Sequence, residues 1–523
     1  MLNLPRILII YAIAIPLALA LGYASSLLGV SQPDVASVGM VGLVLFVLAL
    51  PFLLHSYLPI LLFCWNATLV AAFLPGRPAF WLVMAFASFL LLVVQRGMNP
   101  KMRFLSVPSI TWPLALLALV VIVTAAARGG IGLRALGSSV SNGKKYVGLL
   151  AAIAGYFVLS CQEIPRRRAL LYASLFFVGG TTPAMSDLIY VAGSKFYWMY
   201  NLFSSQQAGA LAGSESLTSL GIFRVEGVAW ASVAFCCFML VRYGIKGILD
   251  MRRPWRLLIL LAVFVVGLFG GYRGRFFIIG MFFLVQFFLE GLWRTWLMPV
   301  ILGMAMLAAG VVFAFSNRLP EAVQRSVSFL PGVKVEPAVA EDAAYSVQWR
   351  EDMWRDLVPQ IPAYFWLGKG YGFTENDLFL ATQMAQSYLA PSYEPFILAG
   401  EYHSGPLSLI LPFGIFGTLA FVWFLIAGWR VVWRNYRNGD PDLILINTFL
   451  LTFYTVRAVF FFSIFGALET DLAFFAGTVG LSVALNGGVR RRGAASPPRG
   501  EAKSLAVGQG RVAWEGKLIP AEA

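Results

Sequence analysis

GPLSLILPFGIFGTLAFVWFLIAGW, residues 405–429, contains no charged side chain and is followed at once by Arg430. It exceeds the roughly 20 residues a helix needs to cross the hydrocarbon core of a bilayer. Immediately before it stand Glu401, Tyr402, His403 and Ser404, and His403 is one of only two histidines in the chain. A titratable ring at the mouth of a membrane helix, beside a carboxylate, sits where chemistry on a membrane-bound substrate needs it. Upstream lies the single long polar stretch of the chain, from Ser316 to Gly405.

Similar apolar runs recur along the sequence and make about fourteen candidate spans under the length rule. They centre near Ala14, Phe46, Phe63, Ala87, Leu117, Ile153, Leu175, Ala231, Val263, Phe282, Ala305, Leu419, Leu451 and Val479. The second and third form one region broken only at His55-Ser56-Tyr57. A chain that is 59% hydrophobic and 12% charged, with mean hydropathy +0.77, is not an ordinary soluble globule, in which about a quarter of residues are charged. The expected fold is an all-α polytopic membrane protein of about 12–14 transmembrane helices with one large, helix-containing extracytoplasmic loop. Four regions follow: an N-terminal transmembrane bundle (1–316), the loop (317–405), C-terminal transmembrane helices (406–486) and a disordered cytoplasmic tail (487–523) with Ser496-Pro497-Pro498. Arg6, the apolar run to Ala20 and Tyr23-Ala24-Ser25 have the pattern of a signal peptide, but an uncleaved first helix suits a chain with so many later spans.

The four cysteines, Cys64, Cys161, Cys236 and Cys237, all lie in or beside apolar segments. Neither a disulfide framework nor a metal site is indicated, and no cofactor is expected. A net charge of +14 raises the question of nucleic acid, but its distribution along the chain argues for membrane orientation instead. One alternate set of loops holds Arg96/Lys101/Arg103, Arg166-Arg167-Arg168, Arg242 to Arg256, Arg294, Arg430/Arg434/Arg437 and Arg490-Arg491-Arg492. By the positive-inside rule that set is cytoplasmic, and both termini lie with it. The opposite set includes the Asp34 loop, the Arg77 turn, the 128–145 and 193–221 loops, the Gly270–Arg275 turn, the long loop and the Glu469/Asp471 turn. The long loop is then extracytoplasmic, and eleven of the chain's 25 acidic residues lie in it. The weak step is Gly270-Gly271-Tyr272-Arg273-Gly274-Arg275. Its flanking runs are only about 15 residues each, shorter than the usual span, and a single kinked helix there would invert everything downstream.

Several polar groups then converge on the outer side. Arg273 and Arg275 occupy a glycine-flanked turn; guanidinium forks suit phosphate oxygens, while snorkelling caps on two short helices are the plainer reading. Arg457 lies within an apolar run, so it faces a polar cavity or pairs with Glu469 or Asp471. Arg224 and Glu226 open the eighth span, either as an ion pair or with Arg224 turned to an anionic substrate. The 128–145 loop, with Arg128, Arg134, Lys144 and Lys145, is either an anion-binding or a solvated loop. Gln348-Trp349-Arg350 and Met353-Trp354 fall at helical spacing, which favours packing onto the membrane surface. Leu367-Gly368-Lys369-Gly370-Tyr371-Gly372-Phe373 is no Walker loop. It presents backbone N–H groups to a substrate, or it is only a turn.

These pieces, in this order, resemble the O-antigen ligase/polymerase superfamily, integral membrane glycosyltransferases that use polyprenyl-diphosphate-linked glycans. The resemblance covers roughly residues 215 to 430. It runs through the Arg224 segment, Tyr272-Arg273-Gly274-Arg275, Gln348-Trp349-Arg350 with Trp354, Leu367 to Phe373, Tyr402-His403-Ser404-Gly405 and Gly414-Ile415-Phe416-Gly417. Ser404 stands where the family commonly has asparagine. The resemblance implies a bacterial inner-membrane enzyme without a metal. Its donor is a polyprenyl-diphosphate-linked glycan, its acceptor a glycan or lipid, and its surroundings membrane lipids and other polysaccharide-assembly proteins. Arg273, Arg275, Arg224 and Arg457 are the candidates for holding the diphosphate, and His403 with Glu401 for activating the acceptor hydroxyl. The competing readings are a lipid-linked glycan flippase, which needs polar groups through the whole membrane depth, and an inactive scaffold of an assembly machine.

Overall fold

The computed structural model describes residues 56–72, 74, 77–98, 105–128, 143–209, 224–373, 379, 383 and 393–490. All lie in one compact unit, Ser56–Arg490; the other unit, Met1–His55 with Arg491–Ala523, is outside the described residues. The spans expected near Ala14 and Phe46, the Asp34 loop, Arg134 and the C-terminal tail therefore also fall outside them.

The remaining twelve expected centres all lie in helices. In chain order the elements are α1 (Ser56–Trp65), α2 (Phe80–Met98), α3 (Pro108–Arg128), α4 (Gly143–Ser160), α5 (Arg166–Val178), α6 (Pro183–Ala192), α7 (Glu226–Ile248), α8 (Trp255–Leu268), α9 (Arg273–Leu289) and α10 (Leu297–Phe315). The polar stretch carries α11 (Glu321–Val327), α12 (Pro337–Leu357), α13 (Ile361–Tyr364) and α14 (Glu394–Ala399). Then come α15 (Gly405–Asn438), α16 (Ile444–Ser463) and α17 (Leu468–Asn486). Among the described residues there is no β-sheet, only two isolated bridges, and eight helices are long and apolar enough to cross a membrane. The protein is an all-α polytopic membrane protein.

The turn at Gly270-Gly271 separates two helices and is not a kink in one. The start of α8 and the end of α9 both sit at the C-terminal end of α7. There the Arg256 guanidinium donates to Gly247 O (2.8 Å), and the Glu290 carboxylate accepts from Ile245 N (2.9 Å), just past the break in α7 at Gly244. So α8 and α9 form a hairpin.

Helix ends collect at two levels. At one, Arg128 Nε donates to Gly368 O (3.0 Å), Lys145 Nζ to Gly400 O (3.3 Å) and Arg325 Nη1 to Gly271 O (2.6 Å). At the other, Ile164 N donates to Ala484 O (2.9 Å), Arg166 pairs with Asp440 (2.8 Å) and Tyr436 OH donates to Leu289 O (3.1 Å). Between them the core is aromatic: Phe282 stacks on Phe453 at 5.5 Å, and Tyr454, Phe449, Phe461 and Phe475 are fully buried. Helix α17 is buried nearly throughout against α4, α15 and α16, whereas α10 buries none of its residues.

The level of Asp440 is locked by amides. Asn447 Nδ2 donates to Asn486 Oδ1 (3.0 Å) and to Asn435 O (3.2 Å), Asn486 Nδ2 returns a bond to Asn447 Oδ1 (2.9 Å), and Asn435 Nδ2 reaches Ser482 Oγ (3.1 Å). All three asparagines are buried. Asn486→Leu removes both Asn447–Asn486 bonds, leaving Asn447 Nδ2 only its bond to Asn435 O and its Oδ1 no donor, at a cost of about 1–3 kcal/mol. Thermal unfolding in detergent should show a lowered midpoint; an unchanged one would mean the network contributes nothing to stability.

Helix α15 is broken near its start. Gly414 has φ 62°, ψ −161°, with Pro412 two residues earlier. The carbonyls left open by the break are taken by the glycine-rich turn: Lys369 N donates to Leu411 O (2.7 Å) and Gly370 N to Pro412 O (3.0 Å), while Ile415 N donates to Phe365 O (2.7 Å). A Cβ on Gly414 would strike the Trp366 carbonyl, and one on Gly368 the Pro412 carbonyl. At 1.5 Å rise per residue, Pro412 lies about 10 Å below the mouth of α15, so segment 365–370 dips into the bundle. Irregular backbone at such depth persists only where protein satisfies its polar groups, and here it does. The Lys369 and Gly370 amides are therefore committed to the broken helix, and the turn acts as a wedge.

Candidate site at the loop end of the bundle

Helix α12 organises the site. Its inward face repeats at helical spacing: Asp342, Ser346 and Arg350 follow one another at intervals of four, with Val339, Ala343, Met353 and Leu357 buried alongside. A shallow depression of about 620 Å³ on the opposite face, lined by Gln348, Glu351, Asp352 and Arg355 among others, lies away from these groups.

At the first half of α12 three arginines converge, two of them on one carboxylate. Arg224 Nη2 lies 2.7 Å from both Asp342 oxygens, and Arg325 Nε, from α11, donates to Asp342 Oδ2. Arg273 Nη2 donates to Ala343 O (2.8 Å) and Ser346 Oγ (3.2 Å), and Arg325 Nη2 also reaches Ser346 Oγ (3.3 Å). Burial pushes the Asp342 carboxyl up, but Arg325 and Arg224 outweigh it, and the group lies below the usual carboxylate range. Arg325, Arg350 and Asp342 gained no assignment from the sequence. The signal that marks Asp342 and Arg350 is the four-residue spacing along α12, visible only once 337–357 is known to be one helix; Arg325, on α11, carries no such mark.

The expected basic pair does not stay together. Residues two apart on a helix point to different sides, so Arg273 turns to α12 while Arg275 stacks over the Trp230 ring of α7, 3.2 Å from its centroid. Trp230 Nε1 in turn donates to Glu226 (3.2 Å), and Arg275 has no hydrogen-bond acceptor among the described residues. Arg224 pairs with Asp342 and not with Glu226. Arg457 pairs with Asp471 (2.8 Å), both nearly inaccessible, with its guanidinium 3.9 Å from the Phe474 ring centroid.

The second half of α12 meets His403. The imidazole is caged by Trp349 (5.4 Å between centroids), Phe465 (5.2 Å) and Phe396 (6.0 Å). Both ring nitrogens are buried without a hydrogen-bond partner among the described residues. The backbone of His403 is left-handed, φ 49°, which costs a non-glycine residue roughly 1–2 kcal/mol. The turn is held from three directions: Trp354 Nε1 donates to Tyr402 O (2.8 Å), Glu401 N to Phe396 O (2.8 Å), and Lys145 bridges Gly400 O to Glu469 (2.8 Å). Thus Arg128 and Lys145 of the 128–145 region fasten backbone at this end. Burial, with Arg350 and Lys145, pushes the His403 pKa down to about 4.

Glu401 is exposed at the mouth and makes no hydrogen bond to the imidazole. Protein crowding around it nonetheless raises its carboxyl above the usual range; Lys145 opposes the shift, and Glu469 and Glu226 reinforce it. An open concave setting explains both facts, since a carboxyl can touch solvent on one side and face low dielectric on the others.

Fold and site together define a polytopic membrane protein whose loop presents a multi-arginine cluster and an aromatic-caged histidine at one bundle end. Residues 273–422 match the family model described as O-Antigen ligase, which supports the likeness to the O-antigen ligase/polymerase superfamily over that segment. The matched stretch includes Arg273, Arg325, Asp342, Arg350 and His403 and leaves out Arg224 and Arg457. No curated protein matches the chain.

Proposed function

We propose that this protein is a membrane glycosyltransferase that moves glycan from a polyprenyl-diphosphate carrier to an acceptor hydroxyl at the outer face of the bacterial inner membrane. The observation that carries the reading is the bridging role of α12, with arginines at Asp342 and the His403 cage at Trp349. Seven residues of helix put the two about 10 Å apart, a distance that a diphosphate and one sugar ring span.

In this scheme the acceptor oxygen attacks the anomeric carbon of the donor. The bond from that carbon to the diphosphate oxygen breaks, and its electron pair leaves with the diphosphate. Arg224, Arg273, Arg325 and Arg350 stabilise the charge that collects there, each such contact being worth a few kcal/mol in a water-poor site. The acceptor proton passes to a His403 ring nitrogen, which is unprotonated and unpartnered. Bound diphosphate offsets Arg350, so the imidazole becomes more basic when the donor arrives. Glu401 is the alternative base. Arg275 lies about half a turn deeper than Arg273 and contributes positive field, and Arg457 acts mainly as the partner of Asp471.

The test is reconstitution of the purified chain in vesicles with a polyprenyl-diphosphate-linked glycan and an acceptor glycan. New glycosidic bonds with release of polyprenyl diphosphate are expected. Movement of the donor across the membrane without bond formation would defeat the enzyme reading and favour a flippase. Deleting the gene separates the acceptor classes: long unattached chains indicate a ligase, single repeat units a polymerase.

A further inference from the structure

We propose that Asp342 is an intramolecular stand-in for the donor's diphosphate, occupying the point where Arg224 and Arg325 converge and being displaced from it when the donor binds. The inference rests on the diphosphate reading above and adds a residue with a role opposite to that of the arginines around it.

The geometry is that of an anion site with its own carboxylate inside. Arg224 Nη2 is equidistant, at 2.7 Å, from both Asp342 oxygens, and Arg325 Nε takes one of the same oxygens. Guanidinium groups bind carboxylate and phosphate through the same planar fork, so each contact to Asp342 is one that a phosphate oxygen can accept. The charges around it do not balance. Arg224, Arg273, Arg325 and Arg350 all face this side of α12; burial disfavours the charges on Arg325 and Arg350, and neighbouring guanidinium groups add to it, Arg224 and Arg273 at Arg325 and Arg325 at Arg350, while Asp342 is the carboxylate bonded among them in the described residues. Arg325 is 5% exposed, and partly desolvated like charges repel strongly. The Nε of Arg224 is buried with no acceptor among the described residues, an unmade bond that costs free energy until an acceptor is supplied. A diphosphate diester brings two negative charges and several acceptor oxygens, so it answers the excess where one carboxylate does not.

The carboxylate and the diphosphate cannot share the point, because like charges at contact distance repel in a partly buried setting. Asp342 must therefore move as the phosphate enters. The rest of α12 need not move: Arg273 holds Ala343 O and Ser346, and Met353 and Leu357 pack with Tyr402, Leu407 and Leu411. The exchange is confined to one side chain and two guanidinium forks. In the empty chain Asp342 keeps the arginines ordered and neutralised in part, which lowers the reorganisation required at binding.

The experiment measures farnesyl diphosphate binding to the purified full-length chain in detergent, for wild type, Asp342→Asn and Asp342→Ser. Removing the competing carboxylate should tighten binding by at least fivefold in whichever variant is folded by circular dichroism. It should also lower the ligand-free melting midpoint, since Arg224 and Arg325 lose the carboxylate they share, and enlarge the upward shift of that midpoint on ligand addition. Binding unchanged or weakened in a folded variant would overturn the stand-in role and make Asp342 a fixed positioning residue. If wild type and both variants bind no farnesyl diphosphate, the diphosphate reading of the arginine cluster fails as well, a result distinct from the first.

Discussion

His403→Ala abolishes measurable glycosyl transfer while the protein still inserts, folds and binds farnesyl diphosphate. A general base contributes about 10²–10⁴ to rate, and the geometry leaves few substitutes, because both imidazole nitrogens are unpartnered in an aromatic cage with no second histidine among the described residues. The substitution also relieves a left-handed backbone only in part, so folding is expected to be nearly unchanged. Undiminished turnover in His403→Ala would remove the imidazole from the mechanism.

The pH profile then separates the two candidate bases. The groups that face the ring electrostatically are Arg350 and Lys145, and with burial they push its pKa from 6.5 down to about 4. A base works when unprotonated, so kcat/KM, which reports the free enzyme, should hold as pH falls through 6.5 and drop only near 4. Glu401 has its pKa raised by burial and by Glu469 and Glu226, against Lys145, so dependence on Glu401 would place the acid limb above the ordinary carboxylate value. An acid limb that high and absent in Glu401→Gln would transfer the role to the carboxylate. The same shift has a stability consequence. Between about pH 6.5 and 4 the unfolded chain binds the imidazole proton and the folded chain does not, so the His403 contribution favours folding above pH 6.5 and is lost on acidification toward 4.

The sequence was informative where physics acts over long runs and silent where it acts between distant points. Apolar stretches must become helices in a bilayer because each backbone amide needs an internal partner, and so the runs around Leu117, Leu419 or Val479 could be placed in advance. Charge bias likewise favoured two helices, α8 and α9, around Gly270-Gly271, where length alone left a single kinked helix open. By contrast, the break at Gly414 depends on the Leu367–Phe373 turn reaching Leu411 and Pro412, a pairing with no local signature. Arg325 was one more basic residue in a polar loop until Asp342, seventeen positions away, gave it a partner. Arg273 and Arg275 looked like a clamp because they are neighbours in sequence; the helix that begins at Arg273 sends them apart. His403 was singled out by rarity and position, but its cage draws on Trp349, Phe396 and Phe465, which no pattern near residue 403 assembles.

Arg457→Met is expected to destabilise the folded protein by about 3–5 kcal/mol, the usual cost of removing one member of a buried ion pair and stranding the other. Asp471, 6% exposed at its side chain, would lose the Nη2 of Arg457 at 2.8 Å and keep only backbone donation from Ala467 N at 3.0 Å. Ala467 and Leu468 open α17, whose nearly complete burial makes it the centre of the bundle, so a strained Asp471 disturbs the element on which α4, α15 and α16 pack. Replacing both partners with apolar residues of similar size, Arg457→Met with Asp471→Leu, should recover much of the loss, because two desolvated charges then disappear together. Melting midpoints of the two single variants and the double variant in detergent measure this, and additive losses in the double variant would count against pairing as the role of Arg457. Transfer activity gives the second axis. If the double variant regains stability and turns over donor, Arg457 serves the bundle alone; if it is stable but inactive with weakened farnesyl diphosphate binding, the positive charge of Arg457 reaches the donor from the layer beneath Arg275.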